Sequence, residues 1–272
     1  MIEIVIDGVV CTCEKGEKLL AVARRNGIFI PTLCHHDALP GQGTCRLCVV
    51  EVTEHERTKV VVACLYPVRG EISVATNSER ILEHRKMILA LLRARAPESE
   101  VIAQMAEAFG APDLPLARAA GNKCILCGLC VRACDVIGAG SVVTRALLKK
   151  LAGQGCAYPV LGAGTIATVG RGVTKEVATP YHEPSEVCIG CAACAHICPT
   201  GAIAVTETKE TRTIWGKEFR FAVCRDCGVV LGTEKEVRYA SQRAGLEPDF
   251  LCPECRRKHL ADAMAETFGR DG

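Results

Sequence analysis

Two short runs of cysteines constrain the fold of this chain more than any other feature. Each run has the spacing C-x2-C-x2-C-x3-C, and the second ends in Cys-Pro-Thr-Gly. The first run consists of Cys124, Cys127, Cys130 and Cys134, and the second of Cys188, Cys191, Cys194 and Cys198. Two copies of one thiolate pattern predict two metal centres around which the chain must fold.

The spacing within each run predicts how the thiolates are shared. Three thiolates two residues apart can bind one cluster, whereas a fourth, three residues further on, faces away and reaches a second cluster nearby. This is the ferredoxin arrangement for two 4Fe-4S clusters. One predicted ligand set is Cys124, Cys127, Cys130 and Cys198, and the other is Cys188, Cys191, Cys194 and Cys134. Zinc is the weaker alternative, because a zinc ion takes four ligands and does not need the middle cysteine of a run.

Length and cysteine count set the broad class. The chain has 272 residues, which is enough for two or three modest domains. Its 19 cysteines are an odd number and stand mostly in C-x2-C pairs, which argues against a disulfide framework. Residues 1–7 show no basic segment followed by an apolar one. We therefore expect a reducing, cytoplasmic setting.

Charge and hydropathy argue against two classes of partner. The net charge of +2 provides no broad field for nucleic acid, and 4% aromatic residues leave little material for base stacking. The longest uncharged run, residues 151–170, is interrupted by glycines, a proline and polar residues. We therefore expect no nucleic-acid partner and no membrane span.

The first eighty residues predict a third metal site on a small sheet. Alternation over residues 2–6 and 9–13 around Asp7-Gly8 predicts a hairpin, and residues 19–25 predict a helix that ends near Gly27. Strand, strand, helix, cysteine loop and a further strand from Val49 form the pattern of a β-grasp ferredoxin with a 2Fe-2S cluster. Its predicted ligands are Cys34, Cys45, Cys48 and Cys64. A four-cysteine zinc site is the alternative.

The segment between these sites predicts helices without a metal site. Ser78 is the expected N-cap of a helix to Ala96, and a second helix is expected after Ser99. No cysteine lies between Cys64 and Cys124. The one histidine of this segment, His84, is predicted to be a surface or packing residue.

Residues 135–187, between the two runs, offer only weak signals. Gly162-x-Gly164-x-x-Ala167 superficially fits a dinucleotide fingerprint, but no βαβ pattern surrounds it, so we do not predict a nucleotide site there. Cys156 is isolated and is predicted to be a buried small hydrophobe, as are Cys11 and Cys13 of the second strand.

The C-terminal seventy residues predict a fourth site. Two C-x2-C pairs stand 24 residues apart, and a helix is expected over residues 258–268. This texture is typical of a zinc ribbon, so a structural zinc ion is predicted at Cys224, Cys227, Cys252 and Cys255. A further iron-sulfur cluster at the same thiolates is the alternative.

The motif order resembles a known family. Pro31-Thr32-Leu33-Cys34, followed by Gly43-Thr44-Cys45-Arg46-Leu47-Cys48, has the form P-x-x-C-x10-C-x2-C. With the two later runs it resembles, over about residues 1–205, the N-terminal part of the large iron-sulfur subunit of respiratory complex I and the small diaphorase subunit of NAD-reducing hydrogenases. Those families usually carry another 4Fe-4S cluster, on one His and three Cys, in the helical segment. Its loss here implies another electron-transfer geometry or a stepping stone supplied by a partner.

These patterns together predict an α+β chain of four parts. We expect a β-grasp 2Fe-2S ferredoxin domain at 1–77 and a helical linker domain lacking its usual cluster at 78–118. A ferredoxin-like domain with two 4Fe-4S clusters is expected at 119–210, and a four-cysteine zinc-ribbon-like module at 211–272.

The expected function is electron transfer without substrate chemistry of its own. The resemblance implies a non-catalytic subunit of a multisubunit NAD(P)-linked oxidoreductase. Its partners would be a flavin-bearing NAD(P)H-oxidising subunit and a catalytic hydrogenase, formate dehydrogenase or other redox subunit. One alternative is a self-contained flavin- and iron-sulfur-dependent reductase. Another is a ferredoxin-fused zinc protein that assembles a metalloenzyme.

Overall fold

The computed structural model describes residues 1–116, 120–137 and 164–268, which divide into two compact units. The first unit comprises Met1–Ala133, Thr168–Val177 and His196–Ala202, and the second comprises Cys134–Ala167, Ala178–Ala195 and Ile203–Gly272. Cys156 and most of the glycine-rich segment between the cysteine runs lie outside the described residues. The predicted domain boundaries stay predictions.

A five-stranded sheet forms the start of the first unit. Its strands are β1 (Ile2–Ile6), β2 (Val9–Cys13), β3 (Val49–Glu54), β4 (Arg57–Val62) and β5 (Ser73–Ala75), in the order β2-β1-β5-β3-β4. Strands β1 and β5 are parallel, and the other pairs are antiparallel. The hairpin turn falls at Asp7-Gly8, and helix α1 (Leu19–Arg25) is followed by Gly27 at φ +72°, as predicted.

One face of this sheet is closed by α1. Ile4 and Ile6 pack in the same core as Leu19 and Leu20 of the helix, and all four are at most 1% exposed. The alternation of apolar residues along β1 therefore has its expected partner. Cys11 and Cys13 are buried in this core, as predicted.

Two helices without cysteines follow the sheet. Helix α2 (Glu79–Arg95) begins after Ser78, whose hydroxyl accepts a hydrogen bond from the Ile81 amide at 3.3 Å. Helix α3 (Glu100–Ala108) begins after Ser99 with an equivalent bond from Ile102 at 3.4 Å. The two predicted helices and the predicted cap at Ser78 are confirmed, and His84 is exposed on α2.

Short elements surround the two cysteine runs. Helix α4 (Leu129–Ile137) contains the end of the first run, and α5 (Ala193–His196) lies within the second. Between them, β6 (Ala167–Val169) and β7 (Glu176–Ala178) pair as a two-stranded sheet.

The second unit contains an antiparallel sheet beyond the second run. Its strands are β8 (Val205–Glu207), β9 (Thr211–Ile214), β10 (Lys217–Val223) and β11 (Val230–Thr233), and they pair in sequence order. Helix α6 (Glu234–Ala244) is capped by Thr233. Helix α7 (Pro253–Phe268) begins five residues before the predicted start at Lys258, because Pro253 suits the first helical position.

None of the helices in the described ranges combines the length and apolar composition that crossing a bilayer requires.

A buried arginine attaches α2 to the sheet. Arg85 is 1% exposed, and its guanidinium donates to the carbonyl oxygens of Leu47 at 3.2 Å and Val49 at 2.9 Å. It also donates to Asn77 Oδ1 at 2.9 Å. We expect Arg85→Leu to lower the free energy of unfolding by about 3 kcal/mol, because the two buried carbonyl oxygens lose their donor. Urea unfolding followed by far-UV circular dichroism measures this change.

The matched control is a surface arginine on the same helix. Arg80 lies 3.6 Å from Glu51 of β3, and its side chain is 60% exposed. Arg80→Ala should cost less than about 1 kcal/mol, since exposed ion pairs contribute little. Equal effects of the two substitutions would contradict the role given to Arg85.

Candidate metal centres

Four buried thiols meet in the loop between α1 and β3 and just beyond β4. All are at most 6% exposed: Cys34, Cys45, Cys48 and Cys64. A hydrogen bond from the Cys45 thiol lowers the pKa of Cys34 to about 5, and one from Cys64 lowers the pKa of Cys48 to about 7. The thiols are therefore associated in two pairs. This suits a 2Fe-2S cluster, in which each of two irons takes two cysteines.

The backbone of this loop turns its amides toward sulfur. The Cys45 amide donates to Cys34 Sγ at 3.4 Å. Gly43 has φ +63°, and a Cβ there would lie 2.6 Å from Leu65 Cδ1, so only glycine fits. Small residues between the first two thiols thus permit the backbone amides to approach sulfur closely.

Cys124, Cys127 and Cys130 of the first run lie in the first unit together with Cys198. Burial raises the pKa of Cys127 to about 11 and that of Cys130 to about 12, and the charge of Cys198 adds to both shifts. The Leu126 amide donates to Cys124 Sγ at 3.4 Å. The Ala202 amide donates to Cys198 Sγ at 3.3 Å. Cys198 therefore lies within electrostatic reach of the first run.

Cys188, Cys191 and Cys194 of the second run lie in the second unit together with Cys134. One cavity is lined by the sulfur-bearing residues Cys134, Cys188, Cys191 and Cys194. Burial raises the pKa of Cys194 to about 11, and the charge of Cys134 adds to the shift. The Thr165 amide donates to Cys134 Sγ at 3.2 Å. A cavity surrounded by four thiols suits a 4Fe-4S cluster, whereas a packed apolar core would offer it neither space nor ligands.

The two runs share one backbone conformation. Two residues after the first cysteine, Leu126 has φ +55° and Gly190 has φ +73°. One residue after the second cysteine, Gly128 has φ +71° and Ala192 has φ +55°. Positive φ is costly for leucine and alanine. Its repetition at matching positions indicates that both loops are shaped to direct amides at the same kind of centre.

The described residues of the segment that superficially fitted a dinucleotide fingerprint lie beside the cavity of the second run. The Gly164 amide donates to Asp135 Oδ1 at 3.1 Å, and the neighbouring amide of Thr165 donates to Cys134. A Cβ on Gly164 would lie 2.7 Å from the Asp135 carboxylate. Gly162 lies outside the described residues. Gly164 and Thr165, in the described part of this segment, are thus engaged beside a thiol.

The four C-terminal thiols are close enough for one ion. The sulfurs of Cys224, Cys227, Cys252 and Cys255 all lie within 4.8 Å of one another, and those of Cys227 and Cys252 are 3.7 Å apart. Zinc-sulfur bonds of about 2.3 Å in a tetrahedron place the sulfurs about 3.8 Å apart. A cluster in which each thiolate binds a different iron requires wider spacing. The arrangement therefore fits a single tetrahedral ion.

Amides and side chains support this four-thiol site. The Cys252 amide donates to Cys224 Sγ at 3.4 Å and lowers the pKa of Cys224 to about 6. His259 of α7 lies 2.6 Å from Asp226, which stands between the first two thiols. The second pair of thiols lies at the start of α7, so that helix is attached directly to the site.

Sequence reasoning missed one residue that joins two of the sites. Arg132 of α4 is 4% exposed, and its guanidinium donates to the carbonyl of Cys34 at 2.9 Å and to that of Pro40. It also contacts the carbonyls of Gly128 at 3.3 Å and Cys127 at 3.5 Å. The sequence signal that could have revealed Arg132 is its position between two predicted cysteine ligands in a short, otherwise apolar helix.

A threonine makes a second link between the same loops. Thr44 Oγ1 donates to the Cys127 carbonyl at 3.0 Å, across 83 residues of sequence. A buried core also includes residues of both loops and of α2 and α3. Its buried members are Leu33, Cys34, Leu39, Cys45, Leu47, Leu89, Ala96, Ile102, Ala106, Ile125, Cys127, Leu129 and Ala133. The two loops are therefore packed against each other within the first unit.

Two family models match separate parts of the chain. Residues 1–79 match a 2Fe-2S iron-sulfur cluster binding domain, and residues 123–202 match a 4Fe-4S dicluster domain. These ranges contain the first three predicted ligand sets but not the four C-terminal thiols.

Several curated proteins are similar to most of the chain. An NADH-quinone oxidoreductase subunit of Rhizobium meliloti is 26% identical over 84% of the chain and 27% of that protein. NADP-reducing hydrogenase subunit HndD of Solidesulfovibrio fructosivorans is 29% identical over 76% of the chain and 36% of that protein. The alpha subunit of the NADPH-Fe(3+) oxidoreductase of Geobacter sulfurreducens is 26% identical over 91% of the chain and 29% of that protein. The chain thus spans about a third of the length of these relatives.

A solved structure supports the fold. A chain in the crystal structure of an NAD+-reducing NiFe hydrogenase in its H2-reduced state aligns with a TM-score of 0.54 at 24% identity. The alignment covers 74% of this chain and 86% of the hydrogenase chain. The matched models and the relatives agree with the cysteine geometry: this chain is an iron-sulfur protein with 2Fe-2S and 4Fe-4S ferredoxin domains that resembles the iron-sulfur subunits of NAD(P)-linked oxidoreductases.

Proposed function

We propose that the chain relays electrons within a multisubunit NAD(P)-linked oxidoreductase and performs no substrate chemistry itself. Bound iron-sulfur clusters would supply one-electron exchange at three centres. We assign a 2Fe-2S cluster to the thiols at positions 34, 45, 48 and 64. We assign one 4Fe-4S cluster to positions 124, 127, 130 and 198, and the other to 188, 191, 194 and 134. The protein's part is to hold these thiols at fixed separations in a largely buried setting.

The direct contact between the first two cysteine loops carries this proposal. Arg132 donates to carbonyls of both loops, and Thr44 of one loop donates to Cys127 of the other. Electron transfer weakens steeply with separation, so a fixed, short distance between ligand loops is the main structural requirement of a relay. The contact favours direct exchange between the first two centres over a stepping stone from a partner.

The helical segment supports this contact by packing. Leu89 of α2 and Ile102 of α3 lie in the same core as Cys34 and Cys127. We propose that this helical linker, which carries no cysteine, keeps the two loops together without a cluster of its own. Its proposed function is therefore to keep the two cysteine loops at a fixed distance from each other.

We propose that the C-terminal thiols hold one zinc ion. The sulfur separation of 3.7 Å and the amides directed at two of the sulfurs support a closed tetrahedral site. Zinc has no accessible redox step, so the site would stabilise the fold of the tail.

Similarity to subunits of NAD(P)-linked oxidoreductases supports the partners proposed for this chain. A flavin-bearing NAD(P)H-oxidising subunit would stand at one end of the relay, and a hydrogenase, formate dehydrogenase or other redox subunit at the other. The described cysteines are free thiols, which suits the reducing, cytoplasmic compartment expected for such a complex.

A matched pair of substitutions tests the crossed ligands. We expect Cys134→Ala to damage the cluster assigned to the second run, although Cys134 belongs to the first run. Cys198→Ala should damage the cluster of the first run instead. Electron paramagnetic resonance of the reduced, anaerobically loaded chain distinguishes the two signals. Loss of the first-run signal in Cys134→Ala would contradict the assignment.

Metal analysis tests the inventory. We expect about ten iron atoms and about one zinc ion per chain, from one 2Fe-2S cluster, two 4Fe-4S clusters and the tetrahedral site. Cys227→Ser combined with Cys252→Ser should remove the zinc and leave the iron content unchanged. A value near fourteen irons without zinc would overturn the zinc proposal and leave the other centres intact.

Purification of the native complex tests the relay itself. We expect a tagged chain to copurify with a flavoprotein, and NAD(P)H to reduce the chain's clusters in that complex but not in the isolated chain. Stoichiometric flavin and NAD(P)H oxidation in the isolated chain would instead support a self-contained reductase. Copurification with assembly factors, without any dehydrogenase, would support a role in metalloenzyme maturation.

A further inference from the structure

The single tryptophan of the chain lies at the cavity of the second cysteine run. Trp215 occupies the turn between β9 and β10 and lines the cavity formed with Cys134, Cys188 and Cys191. Its indole Nε1 donates to Cys194 Sγ at 3.5 Å. The side chain is half-buried, so it stands between the cavity and solvent.

The turn itself does not explain this residue. Ile214 pairs with Lys217, which leaves Trp215 and Gly216 as a two-residue turn with φ +54° and +71°. Turns with two positive φ values favour asparagine, aspartate or glycine, and a bulky side chain at positive φ is an outlier. Such strain persists where the surroundings enforce it, often at functional sites. The indole contact with the cavity is the compensating feature.

The hairpin that carries Trp215 is anchored to the second run. Arg212 of β9 donates to the Gly190 carbonyl at 2.8 Å, and Lys217 of β10 donates to the Ser185 carbonyl at 3.2 Å. Phe219 packs so closely on Gly190 that a Cβ there would lie 2.6 Å from its ring. Three contacts on two strands therefore fix the position of the turn over the cavity.

We propose that Trp215 is a positioning residue that tunes and shields the centre of the second run. The proposal rests on the assignment of a 4Fe-4S cluster to that run. A hydrogen bond to a ligand sulfur stabilises the added negative charge of the reduced state and so raises the reduction potential. The indole also excludes water from the cavity mouth, which a smaller side chain would leave open.

Substitution by phenylalanine separates tuning from packing. Trp215→Phe keeps an aromatic ring and removes the N–H donor. At a fixed potential we expect the reduced-to-oxidised ratio of the second-run centre to fall about fivefold, the value for a hydrogen bond of about 1 kcal/mol. The first-run centre, measured in the same spectra, should not change. An unaltered second-run potential would overturn the tuning role.

A fluorinated analogue keeps the shape of the indole and changes its donor strength. Because Trp215 is the only tryptophan, growth on 5-fluorotryptophan labels this position alone. Fluorine makes the indole N–H a stronger donor with little change in shape. We expect the second-run potential to move in the direction opposite to that in Trp215→Phe. This readout stays decisive if the phenylalanine variant does not load its cluster, and an unchanged potential would count against the hydrogen bond.

Fluorescence of the unaltered protein tests proximity. Iron-sulfur clusters absorb where indole emits and quench a nearby tryptophan. We expect anaerobic loading of the full chain with iron and sulfide to quench the emission, and Cys134→Ala to restore more of it than Cys198→Ala does. Emission unchanged by full loading would overturn the proposal. Failure of the run to bind iron at all, seen by absorbance and metal analysis, would instead refute the proposed function.

Discussion

A buried guanidinium joins the two cysteine loops on which the proposed electron transfer depends. Burying a charge costs several kcal/mol unless polar groups surround it. Arg132 meets this requirement with carbonyl oxygens from both cysteine loops, including those of Cys34 and Cys127. The guanidinium therefore needs both loops, and neither loop can move away without leaving it unsatisfied.

This constraint explains what helices α2 and α3 contribute to the structure. A chain that keeps these helices but carries no ligand in them retains their packing surface, and that surface joins the two loops in one core. Arg85 fixes α2 to β3 in a similar way, through carbonyl oxygens of Leu47 and Val49 that flank Cys48. Buried arginines thus connect the metal loops to the regular elements through hydrogen bonds of fixed direction.

The sequence predicted features set by local rules and missed those set by tertiary contact. Cysteine spacing, the serine cap at Ser78 and the hairpin at Asp7 depend on near neighbours, and all appear in the structure. Positive φ at Leu126 and Ala192 depends on the centre they surround, so no propensity indicates it. The sequence did not predict strands β8–β11, because the apolar face that they turn inward is short and interrupted. The second cysteine run, against which this face packs, lies earlier in the chain. Trp215 and Arg132 became visible only once their acceptors were located.

The direct contact of the first two cysteine loops can be tested by spin relaxation. In the fully loaded, fully reduced chain, the 2Fe-2S signal should relax faster than in Cys124→Ala, which lacks the neighbouring first-run cluster, because two paramagnetic centres held by touching loops couple through space. Pulsed electron paramagnetic resonance on the two proteins measures this difference. We expect clearly faster relaxation when both centres are present. Equal relaxation rates, with both clusters verified in the wild-type chain, would contradict the claim that Arg132 and Thr44 hold the first two centres within electron-transfer distance.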